Sequence, residues 1–236
     1  MSADRLPASA MDFPIYAVVG MYSPPHVTGG FVQHVAILRE RRQLNFGATN
    51  VEVWHMVPPL IVGPFTVAAA GGDLLCPVVH VAGVVDLDPD DCEGIQTWLS
   101  IVEKENRPYG RVSNFRQYIV KPHMDWERAK ETNRPIYRKF SCAGFVVECY
   151  ASVGLNLISL PEDTYLEVDL QTLIRAYPEA ARESMRERYG IAGNGPWRIL
   201  MPGYVFHAMD REPGVVRVVA YDPTNVTEAH FTGSKG

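Results

Sequence analysis

The sequence predicts an α+β fold, and three observations support that prediction. Short β-prone runs separated by turn residues occupy much of residues 13–87. Two later segments, 92–105 and 141–153, carry apolar residues at helical spacing. A further β-prone run returns at 215–221. We therefore expect an antiparallel β group packed on a central, buried helix, in a single domain over residues 1–236.

Length and composition describe an ordinary globular chain. Its 236 residues are 47% hydrophobic and 21% charged, which allows a sizeable core. The net charge of −5 argues against a general nucleic-acid partner. No run approaches the roughly 20 apolar residues of a membrane span, and residues 1–14 do not resemble a signal peptide. We expect a cytoplasmic protein with no integral membrane association, in which the four cysteines are free thiols.

The β-prone runs are assigned in chain order. Residues 13–22, 30–38, 51–57 and 78–87 are rich in β-branched residues or alternate in polarity, so each predicts a strand. The charged residues 39–42 and the segment 45–50 are interpreted as the connection between the second and third strands. Segment 57–70 is apolar, but prolines and glycine interrupt it, and it is assigned no strand.

Helices and polar stretches follow in the second half of the chain. The acidic turn at 88–91 offers an N-cap for a helix at 92–105. Residues 111–140 are polar and are interpreted as an insertion outside the core. Residues 169–188 predict one or two amphipathic surface helices, and 215–221 predicts a final strand. The tail from about 224 is expected to be mobile.

The most informative residue is Cys142, which lies where the helix at 141–153 begins. Ser141 before it is a residue type that caps helices. A thiol at a helix N-terminus is close to unpaired backbone N–H groups and to the positive end of the helix dipole, and both favour the thiolate. A thiolate attacks carbonyl carbon, so Cys142 is a candidate nucleophile. Cys149, further along the same helix, is interpreted as core filling.

A cysteine nucleophile needs a base, usually histidine, and a third polar group that orients the imidazole. His34 and His55 lie within predicted strands, and neighbouring strands could present both to the cysteine helix. His207 is a competing base. His80 lies in an apolar strand and is interpreted as a core residue. Three further histidines lie in turn-like or polar segments and are expected to be solvent-exposed: His26, His123 and His230.

These residues carry a family resemblance. The run Ser141-Cys142-Ala143-Gly144-Phe145-Val146, continuing to Tyr150 and Gly154, resembles the cysteine motif of NlpC/P60-type papain-like enzymes. Pro108-Tyr109-Gly110 looks like the element that precedes the cysteine in that family, and His34-Val35-Ala36-Ile37 resembles its histidine strand. Here the histidine strand comes first. That order is similar to the circularly permuted branch, the YiiX-like and lecithin:retinol-acyltransferase-like proteins. Ser141 stands where the family has Asp, and Ala143 where it has Ser.

The resemblance implies a circularly permuted papain-like fold, with an antiparallel sheet or partial barrel packed on the cysteine helix. It also implies acyl transfer through a thioester. Cys142 would be the nucleophile and His34 the general base. His55 would orient His34, with Glu52 as the alternative, and Tyr109 would donate a hydrogen bond to the oxyanion. Strand alternation allows His55 or Glu52, but not both, on one face. The resemblance implies no cofactor.

The expected function is that of a cysteine-dependent hydrolase acting on an amide bond in a peptide, a peptidoglycan stem peptide or a lipid amide. Two alternatives stay open, a lipid thioesterase or acyltransferase of the same fold and a non-catalytic binding module. With His207 as the base, the chain would have the unpermuted order. A zinc site at Cys76, His80 and Cys92 is not expected, because their spacing matches no common structural site.

Overall fold

The computed structural model describes residues 16–22, 32–43, 49–56, 60–67, 78–81, 87–106, 123–159, 165–176, 178–188, 191, 193–209 and 211–222. Within these ranges the fold is α+β, as predicted. The strands are β1 (Val18–Tyr22), β2 (Val32–Gln43), β3 (Thr49–Met56), β4 (Leu60–Val67), β5 (Val78–Val81), β6 (Met124–Arg128), β7 (Pro135–Phe140), β8 (Leu166–Val168) and β9 (Trp197–Ile199). The helices are α1 (Pro89–Asn106), α2 (Cys142–Ala151), α3 (Leu170–Ala176), α4 (Glu183–Arg188), α5 (Pro202–Met209) and α6 (Pro213–Val218), with a 3₁₀ turn at Pro178–Ala181.

The main sheet has the strand order β4-β3-β2-β1-β5, and its neighbouring strands are antiparallel. Its two edge strands also contact each other, so the sheet curves. The central strand β2 pairs with β1 at Gly20↔Val35 and Met21↔His34. Its pairing with β3 runs from Ile37↔Trp54 to Gln43↔Thr49. The smaller sheets are the hairpin β6–β7 and the pair β8–β9.

Strand β2 is longer than predicted, and the interpretation of 39–42 as a connection was wrong. Arg41 and Arg42 pair with Val51 and Asn50 of β3. The Arg39 guanidinium lies 5.0 Å from the centroid of the Trp54 ring. Charged residues extend the strand here because backbone pairing with the neighbouring strand, and not side-chain polarity, sets the length of a hairpin.

Strand β4 was not predicted, because it contains Gly63 and Pro64, which usually interrupt strands. The structure places it at the edge of the sheet, where Pro64 pairs with Glu52 of β3. An edge strand tolerates proline because half of its N–H groups point away from the sheet.

Helix α2 lies in the centre of the hydrophobic core, as predicted for the cysteine helix. It packs against β2, β3 and α5, and most of its side chains are buried. Cys142 belongs to the same apolar cluster as Val35 and Ile37 of β2 and Trp54 and Met56 of β3. Ala36 and Leu38 are also buried but lie at the alternate positions of β2, outside this cluster. One face of the sheet therefore packs on the cysteine helix.

Helix α1 is confirmed and begins at Pro89, slightly before the predicted start. The Asp91 N–H donates to Asp88 Oδ1 (2.8 Å), and the Asp88 N–H donates to Asp91 Oδ2 (3.2 Å). This reciprocal pair is a capping box, with proline at the first helical position. The helices predicted over 169–188 are present as α3, the 3₁₀ turn and α4.

The hairpin β6–β7 lies within the stretch expected outside the core, and that expectation does not hold for it. Phe140 is buried and belongs to the apolar cluster. Arg138 binds Glu105 of α1 through two hydrogen bonds of 2.8 and 2.9 Å. Its guanidinium also lies 5.5 Å from the Trp98 ring centroid. A charged strand residue can pack against the core when an ion pair and an aromatic face replace its water.

The strand predicted at 215–221 was wrong, because residues 213–218 form helix α6. Proline in the first turn favours the helix start. The Arg217 guanidinium then binds Asp91 Oδ2 of α1 at 2.7 Å. Only Tyr221 of the segment makes a β-bridge, which is parallel to Ile158. These contacts outweigh the β-propensity of the valines.

Several predictions fall outside the described residues: the strand portions at 13–15, 30–31 and 82–86, residues 107–122 of the polar stretch, and the tail from 223. None of the helices in the described ranges has the length and apolar character that crossing a membrane requires.

Candidate active site

Cys142 is the first residue of α2, and Ser141 is its N-cap. The Ser141 hydroxyl accepts a hydrogen bond from the Gly144 N–H at 2.8 Å. The Phe145 N–H donates to the Ser141 carbonyl at 2.9 Å. Serine before an apolar run is a local signal for a helix start, so the sequence placed this turn correctly.

The Cys142 thiol is buried, with 1% of the residue exposed. Burial raises the pKa of Cys142 to about 11, although the backbone N–H groups of Val35, Ala143 and Cys142 itself favour the thiolate. The helix terminus therefore acts in the expected direction, but desolvation of the charged form outweighs it. One of the three amides comes from β2, so the strand that carries His34 reaches the sulphur.

His34 lies in β2 directly before Val35 and is buried, with 8% of the residue exposed. Since side chains alternate along a strand, His34 leaves β2 on the face opposite to the side chain of Val35. Val35 packs in the cluster that contains Cys142. The structure thus places the Val35 backbone N–H near the Cys142 sulphur. The His34 side chain leaves the strand on the other face, so it must change position before its imidazole can act on Cys142.

The other predicted site residues are only partly described. His55 and Glu52 lie in β3, at register positions opposite Ile61 and Pro64 of β4. Their side chains lie outside the described part of the chain, so the choice between them stays open. Tyr109 lies outside the described residues. His207 is in α5, which packs against both β2 and α2, and its side chain also lies outside that part.

Two further cysteines are described, and both are free thiols. Cys149 is fully buried in α2, and burial raises its pKa well above the ordinary value. Cys92 in α1 is partly buried, and burial with the nearby acidic residues Asp91 and Asp88 raises its pKa. Neither has a contact that stabilises a thiolate, which agrees with core filling for Cys149.

Sequence reasoning missed a polar cluster of His123, Glu148 and Tyr165 on α2. His123 Nε2 lies 3.1 Å from Glu148 Oε1, and Nδ1 lies 3.0 Å from the Tyr165 hydroxyl. The expectation that His123 is solvent-exposed was wrong, because 16% of its side chain is exposed. The available signal was Glu148, the carboxylate in an otherwise apolar helix, since a charge in such a helix needs a partner.

A surface groove of about 490 Å³ lies between α1 and the end of α2. It is lined by Asp90, Glu93, Gly94, Thr97, Trp98, Ile101 and Ser152. Neither Cys142 nor His34 contributes to it, so it is separate from the candidate site. In the ranges that the structure describes, no three His, Cys, Asp or Glu side chains are arranged to hold a metal ion.

Backbone N–H groups near the Cys142 sulphur favour negative charge there, but the burial of the thiol outweighs them. Comparison of the chain with protein-family models, with curated proteins and with solved structures found no match. What the protein does is therefore inferred from the geometry of the described residues and from the resemblance of its motifs.

Proposed function

We propose that the protein is a cysteine-dependent hydrolase of the circularly permuted NlpC/P60-like type, which cleaves an amide bond in a peptide, a peptidoglycan stem peptide or a lipid amide. One observation carries the proposal. Cys142 is the first residue of a buried helix, and the backbone N–H groups of Val35, Ala143 and Cys142 itself favour its thiolate. Such donors stabilise the charge that develops during acyl transfer.

In the proposed reaction, Cys142 gives its proton to His34 while the sulphur attacks the carbonyl carbon. The C–N bond then breaks, the amine leaves with the proton held by His34, and a thioester joins the acyl group to Cys142. Water hydrolyses this thioester with His34 again as base, which releases a carboxylic acid and the free thiol. His55 or Glu52 orients His34, and Tyr109 donates to the oxyanion.

Because the Cys142 thiol is buried, the proposed reaction requires a base and access of the substrate to the sulphur. Burial raises the pKa of Cys142 to about 11, so the thiol is protonated at neutral pH and reacts when a base takes its proton during the attack. With 1% of the residue exposed, the sulphur accepts a substrate only after the surrounding chain opens. Catalysis therefore requires a local movement that also brings an imidazole to the sulphur.

The same burial favours a second candidate, a non-catalytic binding module that retains the fold. In that case Cys142 is a small core residue and the convergent amides are those of an ordinary helix start. The two candidates differ in whether an acyl-type electrophile reaches Cys142 faster than it reaches the equally buried Cys149.

The deciding experiment treats the folded protein with peptide and lipid acyloxymethyl ketones and locates the label by mass spectrometry. We expect label on Cys142 but not on Cys149, loss of labelling in His34→Ala, and retention in His207→Ala. Hydrolysis of matched peptide and lipid amides should disappear in Cys142→Ser. Equal labelling of both cysteines, or hydrolysis that survives Cys142→Ser, would sink the hydrolase proposal. Loss of labelling in His207→Ala alone would instead assign the base to His207 and reject the permuted order.

A further inference from the structure

We infer that His123 is a positioning residue, which together with Glu148 and Tyr165 clamps the first turn of α2 and so sets where the Cys142 sulphur lies against β2. The inference deepens the proposed function and rests on it in one respect, that Cys142 is the reacting group. His123 acts through Ser141 and Gly144, the cap and the third residue of the helix.

The His123 backbone lies directly against the first turn. Its carbonyl accepts a hydrogen bond from the Ser141 N–H at 3.0 Å. A Cβ atom built on Gly144 would lie 2.3 Å from the same carbonyl oxygen and 2.9 Å from His123 Cδ2. Only glycine admits so close an approach. Ser141 is the N-cap of the helix and is hydrogen-bonded to His123. A shift of His123 therefore also moves Ser141, and with it the start of the helix at Cys142.

Two hydrogen bonds of the His123 imidazole keep the His123 backbone close to Gly144. Nε2 contacts Glu148 Oε1 at 3.1 Å, and Nδ1 contacts the Tyr165 hydroxyl at 3.0 Å. Glu148 lies one turn after Gly144 on the same side of α2. Tyr165 precedes β8 and is buried. The ring is therefore attached both to the cysteine helix and to a separate part of the fold, which limits its movement in each direction.

The donors and acceptors of this cluster can be assigned. A carboxylate oxygen only accepts, so His123 Nε2 carries a proton and donates to Glu148, and in that tautomer Nδ1 accepts from the Tyr165 hydroxyl. Burial raises the pKa of Tyr165, so the hydroxyl keeps its proton. Both ring nitrogens are therefore engaged within the cluster.

The clamp acts on one end of α2 and not on the whole helix. Cys142 lies beside the clamped turn and receives a stabilising N–H contact from Val35 of β2. Cys149 lies two turns further on and is held by the apolar core. Loosening the clamp should therefore expose the Cys142 sulphur and weaken its contact with the Val35 amide, while Cys149 stays packed.

The test compares the iodoacetamide alkylation rates of Cys142 and Cys149 in the same folded protein, read by peptide mass spectrometry. The variants are Glu148→Leu, Glu148→Gln and Tyr165→Phe. The control is Ser100→Ala, which removes a hydroxyl that donates to the Gln96 carbonyl within α1 at 2.8 Å. Cooperative urea unfolding of each variant shows that it is folded before its rates are compared.

We expect Glu148→Leu and Tyr165→Phe to raise the Cys142:Cys149 rate ratio about fivefold each, since each removes one hydrogen bond of the clamp. Glu148→Gln should keep most of the wild-type ratio, because its amide oxygen still accepts from Nε2. Ser100→Ala should leave the ratio unchanged. An unchanged ratio in both clamp variants, or equal effects of Glu148→Gln and Glu148→Leu, would overturn the inference.

The rate ratio requires no substrate, so it tests the clamp independently of catalysis. If hydrolysis survives Cys142→Ser while the ratio changes as expected, the proposed function fails and the clamp stands. If hydrolysis requires Cys142 and His34 but the ratio does not change, the clamp fails and the function stands.

Discussion

Replacing Gly144 with alanine adds one methyl group where α2 meets His123. The new Cβ lies 2.3 Å from the His123 carbonyl oxygen and 3.0 Å from its carbonyl carbon. Both are backbone atoms, so no rotation of a side chain relieves the overlap. The His123 segment must retreat by roughly 1 Å to restore an ordinary contact, which begins at 3.4 Å.

The retreat breaks three hydrogen bonds: the one from the Ser141 N–H to the His123 carbonyl, and the two that the imidazole makes with Glu148 and Tyr165. At about 1 kcal/mol each, their loss lowers the free energy of unfolding by about 3 kcal/mol. Alanine regains about 1 kcal/mol over glycine within a helix. We expect a net destabilisation of about 2 kcal/mol, which for this chain length lowers Tm by about 4–8 °C.

Urea unfolding followed by circular dichroism measures this change, with Gly94→Ala as the matched control. Gly94 is also helical, and a Cβ there lies 2.4 Å from Val153 Cγ1, a side-chain and not a backbone atom. Relieving that overlap requires a rotamer change of a β-branched residue but breaks no hydrogen bond, so Gly94→Ala should lose clearly less free energy of unfolding than Gly144→Ala. The reasoning is refuted if Gly144→Ala is as stable as the wild type, or if both variants lose the same free energy.

Two further predictions concern Arg138 and the pH dependence of stability. Arg138→Lys should lower the free energy of unfolding by about 1–2 kcal/mol, because lysine cannot make the two-point contact with Glu105 or stack on Trp98; equal urea midpoints for lysine and arginine would contradict this. Burial raises the pKa of Cys142 from 9.0 to about 11, so between these values the folded chain keeps a proton that the unfolded chain has lost. The stability from this group is present below pH 9 and is lost as pH rises to about 11, at about 1.4 kcal/mol per pH unit. Cys142→Ala should flatten the curve of unfolding free energy against pH by that slope, and parallel curves for the two proteins would show that Cys142 does not titrate as described.

The local part of the candidate site was predictable from the sequence because it depends on neighbouring residues. Ser141 before an apolar run predicts a helix start, and the Ser141 hydroxyl bonds the Gly144 N–H as a cap should. The same is true of α1, whose acidic turn forms the capping box of Asp88 and Asp91. The placement of His34 in a strand was correct for the same reason, since β-branched neighbours surround it.

Errors arose where distant contacts override local preference. The valines of 215–218 favour a strand by propensity, but the segment forms a helix whose Arg217 makes an ion pair with Asp91, 126 residues earlier in the chain. Pro64 excluded β4 from the prediction, although its edge position makes proline acceptable. His123 was expected in solvent because its polar neighbours carry no sign of Glu148 and Tyr165, which lie 25 and 42 residues away in the chain.

The sequence by itself determined that the chain is α+β and that Cys142 begins a buried helix capped by Ser141, because caps and hydrophobic periodicity act over a few residues. Only the tertiary structure determined the burial and the pKa of the Cys142 thiol. Burial under the sheet raises the pKa of Cys142, the Val35 amide reaches it from β2, and His123 presses on its helix through Gly144. These effects depend on solvent exclusion and on contacts between segments far apart in the chain, which no local pattern encodes.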